Sequence, residues 1–314
     1  MDLITLVTRD LKLVFAPSVG GRLLSAATGG TDLLWRNPEI VDDGLQLAVP
    51  RDQWPEQTGA MESWVNVGGS KTWPAPQGWG GSDEWAGPPD PVIDSGRWAA
   101  VLTGGPDGAT VVTMTSEPDQ RTGLQISKRF TVPAAGAEFS EAIEFVNTTH
   151  RRISWAIWEV AQLDPTWNGA PCGVVEATVT DNAPPEVEIA LQGSVGPGGY
   201  AAGRWTIPIT PAIGKLRFGN SAGSIGYRRP DGAAVELSFD SALGGCAELW
   251  VQEPTPEPIK EFQGLHPRHH LLELEVVGPL TELEPGQSTG LCLTWRLTPS
   301  GLGDRPARSM GPVH

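Results

Sequence analysis

Leu124-Gln125-Ile126-Ser127-Lys128-Arg129-Phe130-Thr131-Val132, then Phe139 to Val146, then Ile153-Ser154-Trp155-Ala156-Ile157-Trp158-Glu159-Val160 are the stretches that decide the fold. They are rich in β-branched and aromatic residues, and the first alternates apolar with polar. That is the two-residue period of a β-strand, whose successive side chains point to opposite faces. Each ends at a cluster of Gly, Pro, Asn or Asp, as strands joined by turns do. Working outward, Leu3–Val7 and Leu11–Phe15 read as a hairpin around Arg9-Asp10. Further strands are expected at Val111–Met114, Val187–Leu191, Lys215–Phe218, Ala234–Phe239, Ala247–Gln252, Leu271–Val277 and Gly290–Leu297. Residues 38–47 leave room for one short helix. Many short strands with turn signals between them predict an all-β antiparallel sandwich or barrel.

The chain has 314 residues, enough to bury a large core in one β domain. No internal repeat or linker divides it, so residues 1–299 are expected to form one unit. The Gly/Pro-rich stretch 300–314 is expected to be a flexible tail. Residues 48–98 carry Trp54, Trp64, Trp73, Trp79, Trp85 and Trp98 among many Gly and Pro, and read as a long irregular excursion. A formal net charge of −15 without any Lys/Arg stripe argues against nucleic acid as a partner. No apolar run reaches the length of a membrane span, and Met1-Asp2-Leu3-Ile4 does not open a signal peptide, so a cytoplasmic location is expected. Cys172, Cys246 and Cys292 lie far apart without a C-x-x-C pattern, which predicts neither disulfides nor a zinc site. His266, His269 and His270 read as a solvated loop. No metal and no cofactor is expected.

Three stretches carry the candidate chemistry. Trp64 to Trp79 interleaves aromatic rings with Asn66, Lys71 and Gln77, and Gly68-Gly69 would let backbone approach a ligand. Sugars need this mixture, because their C–H faces stack on aromatic rings while their hydroxyl edges need fixed donors and acceptors. In Ser154–Gln162, Trp155, Ile157, Glu159 and Ala161 share one strand face; Trp158, Val160 and Gln162 share the other. Glu159 in this apolar run is either a desolvated functional carboxylate or the partner of an arginine. In Leu271–Leu280, Glu273 and Glu275 project to one side. Paired carboxylates can split their pKa values and support acid/base work if that side is concave.

In this order, the segments resemble the galactose mutarotase-like (aldose 1-epimerase-like) superfamily, closest to a bacterial branch of unknown function. The resemblance rests on Pro17-Ser18-Val19-Gly20-Gly21-Arg22-Leu23-Leu24 with Asp32-Leu33-Leu34-Trp35, on Asn66 to Gln77, on Asn147 with Trp155 to Gln162, and on Glu275 with Leu283-Glu284-Pro285-Gly286. It spans residues 10 to 297 and implies an antiparallel β-super-sandwich. In that superfamily a glutamate takes the proton of the anomeric hydroxyl and a histidine protonates the ring oxygen. Glu275 matches the base. The histidines do not match: their positions fall near Val67 and near Trp158 or Glu159. Lys71 or a protonated Glu159 is then the candidate acid, with Arg22, Asn66, Trp73, Gln77, Trp79, Trp158 and Gln162 shaping the pocket. The resemblance implies a small-molecule partner, a sugar or sugar-like ring. The leading expectation is an isomerase of the epimerase/mutarotase type. The alternatives are a non-catalytic sugar-binding protein and a pocket repurposed for cyclisation or isomerisation in secondary metabolism. The oligomeric state stays open.

Overall fold

The strands pair in the antiparallel sense throughout and assemble two large sheets, seen in a computed structural model that describes residues 1–56, 60–81, 83–196 and 198–301. The first, of eleven strands, runs in space Ile4–Val7, Leu11–Ala16, Arg22–Thr28, Ser70–Ala75, Ile153–Leu163, Leu271–Val277, Cys246–Gln252, Ile213–Phe218, Glu186–Gln192, with two short strands attached at its sides. The second, of ten strands, has Ser288–Thr298 paired with Glu138–Asn147 at its middle, flanked by Leu124–Val132 and Ala234–Phe239. Apolar side chains from both sheets fill the space between them: Ala161, Leu272, Leu274, Phe130, Ile143, Leu237 and Trp295 belong to one continuous core. This is the antiparallel β-super-sandwich, and no helix among the described residues is long and apolar enough to cross a membrane.

Strand positions follow the alternation closely. Leu124–Val132, Ala234–Phe239 and Leu271–Val277 have the bounds their patterns predict. Three expectations need correction. Residues 38–47 hold turns and a Val41–Leu47 bridge, not a helix. The 48–98 stretch is not wholly irregular, because Ser70–Ala75 enters the first sheet beside Ile153–Leu163. Its Lys, Pro and Trp obscure the strand pattern, yet it is buried nearly throughout. The tail expected over 300–314 lies, beyond Gly301, outside the described residues.

Ile153–Leu163 is covered on both faces, and this settles Glu159. Its carboxylate points between the sheets, where the Ser70 and Thr72 hydroxyls donate to it and Lys128 Nζ stands 3.2 Å from both oxygens. Lys128 also pairs with Glu141 at 3.0 Å, and Trp295 Nε1 donates to Glu141 at 2.8 Å. The partner is a lysine from the opposite sheet, not an arginine. Burial, with the Glu141 charge beside it, pushes the Glu159 carboxyl up to about 8. The group pins the two sheets together inside the core, and Glu159 is withdrawn as a candidate acid because no ligand reaches it there.

Lys128→Met should leave two buried carboxylates without their cation and cost about 3–5 kcal/mol in urea unfolding at neutral pH. Replacing all three charges, as Lys128→Met with Glu141→Gln and Glu159→Gln, should recover most of that loss.

Candidate functional site

On the outer face of the first sheet, cross-strand pairing sets side chains into rows. Lys71 lies opposite Val160, Val160 opposite Glu275, and Glu275 opposite Glu248. A neighbouring row runs Gln162, Glu273, Trp250, Lys215. A third pairs Trp73 with Trp158. Adjacent strands lie about 4.8 Å apart, so these groups are held at contact distance by the backbone itself. Met61, Trp64, Phe262 and Leu265 complete the lining from two neighbouring segments, joined where the Glu62 N–H donates to the Gln263 carbonyl oxygen at 3.0 Å. The result is a narrow cleft of about 70 Å³ whose floor carries Glu273 and Glu275, and it shares Gln77, Trp158 and Lys215 with an adjoining hollow of about 470 Å³.

The tryptophans are locked from behind. Trp73 packs against Trp64, Trp85 and Trp158 with ring centroids 5.8, 5.3 and 5.3 Å away. Asp94 accepts from Trp64 Nε1 at 2.9 Å and from Trp73 Nε1 at 3.2 Å, and is itself held by Arg22 at 2.7 Å. Arg22 is therefore a support behind the indoles and does not line the cleft. Asn66 closes a turn on the Gly68 N–H at 3.3 Å and also lies off the lining. The glycine pair has a different use from the one expected. Gly68 and Gly69 have φ of +96° and +78°, and a Cβ on them would meet the backbone oxygens of Trp35 and Leu23 at 2.4 and 2.6 Å. They allow strand to approach strand, not backbone to approach a ligand.

Glu275 is the most constrained polar group of the floor. Its Oε2 accepts from Trp158 Nε1 at 2.6 Å and from Lys215 Nζ at 2.9 Å. Lys215 also reaches Glu248 at 2.6 Å and sits 4.8 Å above the Trp158 ring. Burial pushes the Glu275 carboxyl up to about 8, with Glu248 and Glu273 adding to it and Lys215 opposing. Burial works against the Lys215 ammonium, but Glu275 and Glu248 outweigh it and hold its pKa above the ordinary lysine value. Glu273 accepts from Gln162 Nε2 at 2.7 Å. Lys71 Nζ lies 3.5 Å from Glu273 and 4.3 and 5.1 Å from the Trp73 and Trp64 rings. Burial lowers its pKa to about 8. Lys71 and Gln162 thus stand behind Glu273 and are absent from the lining.

The structure brings Trp73, Gln77, Trp158 and Glu275 together on one hollow, with Trp79 at its outer rim. It adds Lys215, Glu248, Trp250 and Phe262, which the sequence reading did not single out. The signal was present in Lys215-x-Arg217 and Glu248-x-Trp250, both alternating patterns, but nothing in the sequence says which face of those strands is concave.

Neither a protein-family profile nor a curated protein sequence matches this chain. Solved structures do. A galactose mutarotase-like protein from Lactobacillus casei superposes with a TM-score of 0.59 at 13% identity, covering 95% of this chain and 100% of that one. A galactose mutarotase related enzyme from Lactobacillus acidophilus gives 0.57 at 11%, over 95% and 98%. A TPR-domain containing protein from Parabacteroides distasonis gives 0.59 at 13%, over 99% of this chain but only 50% of that longer one. The chain has the galactose mutarotase-like fold. Identities this low establish architecture and leave activity to the site.

A carboxyl whose folded pKa lies above its unfolded value of 4.5 binds its proton more tightly in the folded protein. The stability it contributes is complete below about pH 4.5 and is lost as pH rises through about 8. Unfolding free energy should therefore decline from about pH 5 to pH 9, with Glu159 contributing in the same sense. Glu275→Gln, which cannot ionise, should flatten part of that decline in chemical denaturation at a series of pH values.

Proposed function

We propose that the cleft binds a sugar or sugar-like hydroxylated ring and interconverts its anomers, with Glu275 as base and Lys215 as acid. The observation that carries this is the direct Lys215–Glu275 contact at the floor of a tryptophan-walled cleft. Indole faces accept the C–H face of a pyranose, and Gln77, Gln252 and Glu273 offer partners to its hydroxyls. The Glu275 carboxylate takes the proton of the anomeric hydroxyl, and the bond from the anomeric carbon to the ring oxygen breaks as the carbonyl forms. The Lys215 ammonium gives a proton to the departing ring oxygen. After rotation about the bond next to the carbonyl, the ring closes by the reverse transfers. A base poised near neutrality suits this work, because it is strong enough to accept the proton and free enough to be ionised. Lys215 takes the place of the Lys71 or Glu159 expected as acid, since neither of those lines the cleft.

A second reading is a binding protein without turnover. It is favoured by how fully the charges are already paired: Lys215 between two carboxylates, Glu275 between two donors. Quenching of tryptophan fluorescence by a sugar whose anomers exchange no faster than in buffer would establish it.

Anomer interconversion of glucose and galactose followed by NMR should be faster with the wild-type protein than in buffer. Glu275→Gln should lower the protein-dependent rate by about 10²–10⁴-fold. The wild-type rate should climb between about pH 6 and pH 9 as the base loses its proton. Background rates in both proteins would remove the epimerase reading.

A further inference from the structure

The narrow cleft and the adjoining hollow suit different parts of one ligand. The hollow, about 470 Å³, matches sites that enclose a small organic molecule, about 300–1,000 Å³. The cleft, about 70 Å³, admits water-sized groups but no ring. A single sugar ring therefore lies in the hollow and sends substituents past Lys215 and Trp158 into the cleft. The reaction at Glu275 requires one of them to be the anomeric hydroxyl. The anomeric carbon has two neighbours in the ring, the ring oxygen and C2. With the ring oxygen turned to Lys215, the substituent on C2 enters the cleft beside the anomeric hydroxyl.

Glu273 is the group that meets it. Glu273 and Glu275 share one face of Leu271–Val277, two residues and so about 6–7 Å apart along the strand. That spacing sets one carboxylate at the anomeric hydroxyl and the other at the C2 substituent. Gln162 and Lys71 both approach Glu273 Oε1, while Trp158 and Lys215 both approach Glu275 Oε2. The second oxygen of each meets no donor among the described residues. A carboxylate only accepts, so the substituent must donate.

The charge balance narrows the choice further. Glu248, Glu273 and Glu275 stand against Lys71 and Lys215, and Arg217 is matched by Glu188. One carboxylate is in surplus. Burial, and after it the Glu248 and Glu273 charges, keep the Glu275 carboxyl raised to about 8 despite Lys215. An incoming cation relieves that surplus, and a neutral hydroxyl does not. The lining also suits a cation. Lys71 stands over the Trp64 and Trp73 rings and Lys215 over that of Trp158. Trp250 and Phe262, with ring centroids 5.6 Å apart, line the cleft with no cation of the described residues over either. Aromatic faces beside carboxylates attract an ammonium group.

We infer that the ligand is a 2-amino sugar whose ammonium group sits in the narrow cleft against Glu273. Glu273 then selects the substrate, and Glu275 reacts with it. The inference rests on the sugar reading above and deepens it by naming the substrate class.

Fluorescence titrations at about pH 6.5, where such an amine is protonated, compare each amino sugar with its parent. Glucosamine should bind about tenfold tighter than glucose, or galactosamine about tenfold tighter than galactose, the worth of one hydrogen bond to a charged group. N-acetylglucosamine and N-acetylgalactosamine, which lack the charge, should show no such gain. Nor should 6-amino-6-deoxyglucose, which carries its ammonium away from C2. Glu273→Gln should bring the ratio of amino sugar to parent close to one, with an unchanged circular dichroism spectrum. If that variant fails to fold, the wild-type comparison with the acetylated and 6-amino sugars decides alone. Ratios near one in both wild-type pairs, an equal gain from 6-amino-6-deoxyglucose or the acetylated sugars, or a preference that survives Glu273→Gln overturns the inference. Binding of the parent sugars would still uphold the sugar site in each of those cases. Failure of every sugar to bind sinks the sugar reading and the amino-sugar inference together.

Discussion

The strand Ile153–Leu163 must satisfy two environments at once, and the rest of the molecule is arranged around how it does so. Its side chains alternate, so neighbours in sequence serve opposite sides of the first sheet. Glu159 turns inward to Lys128 and the hydroxyls of Ser70 and Thr72; Trp158 turns outward to Glu275 and Trp73. A slip of one residue would send a carboxylate into the cleft and an indole into the core. The inner ion cluster opposes that slip, since displacing Glu159 would strand Lys128 and Glu141 in a dry interior. The same contacts that hold the two sheets together therefore hold the cleft floor in register.

The inner cluster and the cleft obey the same electrostatics. In the core, two carboxylates share one lysine; in the cleft, Glu248 and Glu275 share Lys215 while Glu273 stands near Lys71. In both, desolvation outweighs the available cation and lifts one carboxyl to about 8. A displaced pKa consequently does not distinguish the two groups. Access does: Glu275 lines the hollow, and Glu159 is sealed by both sheets. Perturbed titration identifies where burial and charge compete, and only geometry says whether a substrate can take part.

How much of this was legible follows from what each signal measures. Alternation is local, so Leu124–Val132 and Leu271–Val277 could be bounded from their residues alone. The split of Ser154–Gln162 into two faces was equally local. Which face is concave depends on strands distant in sequence, and here the alternation is silent. That is why Lys215 and Glu248, on strands outside the resemblance's signature segments, were missed, and why Glu159 and Glu275 looked alike. Ser70–Ala75 escaped notice because a strand buried on both faces loses its alternation, and because Lys71 reads as a surface residue until Trp64 and Trp73 are seen to cover it. Arg22 and Gln162 are near the site and serve it, but through Asp94 and Glu273.

The absence of histidines at the two matching positions has a structural counterpart. Val67 belongs to a separate apolar cluster with Ala16, Val19, Leu24 and Val41, so that position has been given over to packing. At the other, Trp158 supplies an N–H to Glu275 where a titrating ring is expected from the resemblance. The ammonium that meets Glu275 in the cleft, that of Lys215, comes from Ile213–Phe218, two strands away across Cys246–Gln252. A lysine placed there contacts the Glu275 carboxylate directly, at 2.9 Å. Most of the lining around this pair is aromatic or aliphatic, which lowers the local dielectric and strengthens the Lys215–Glu275 attraction.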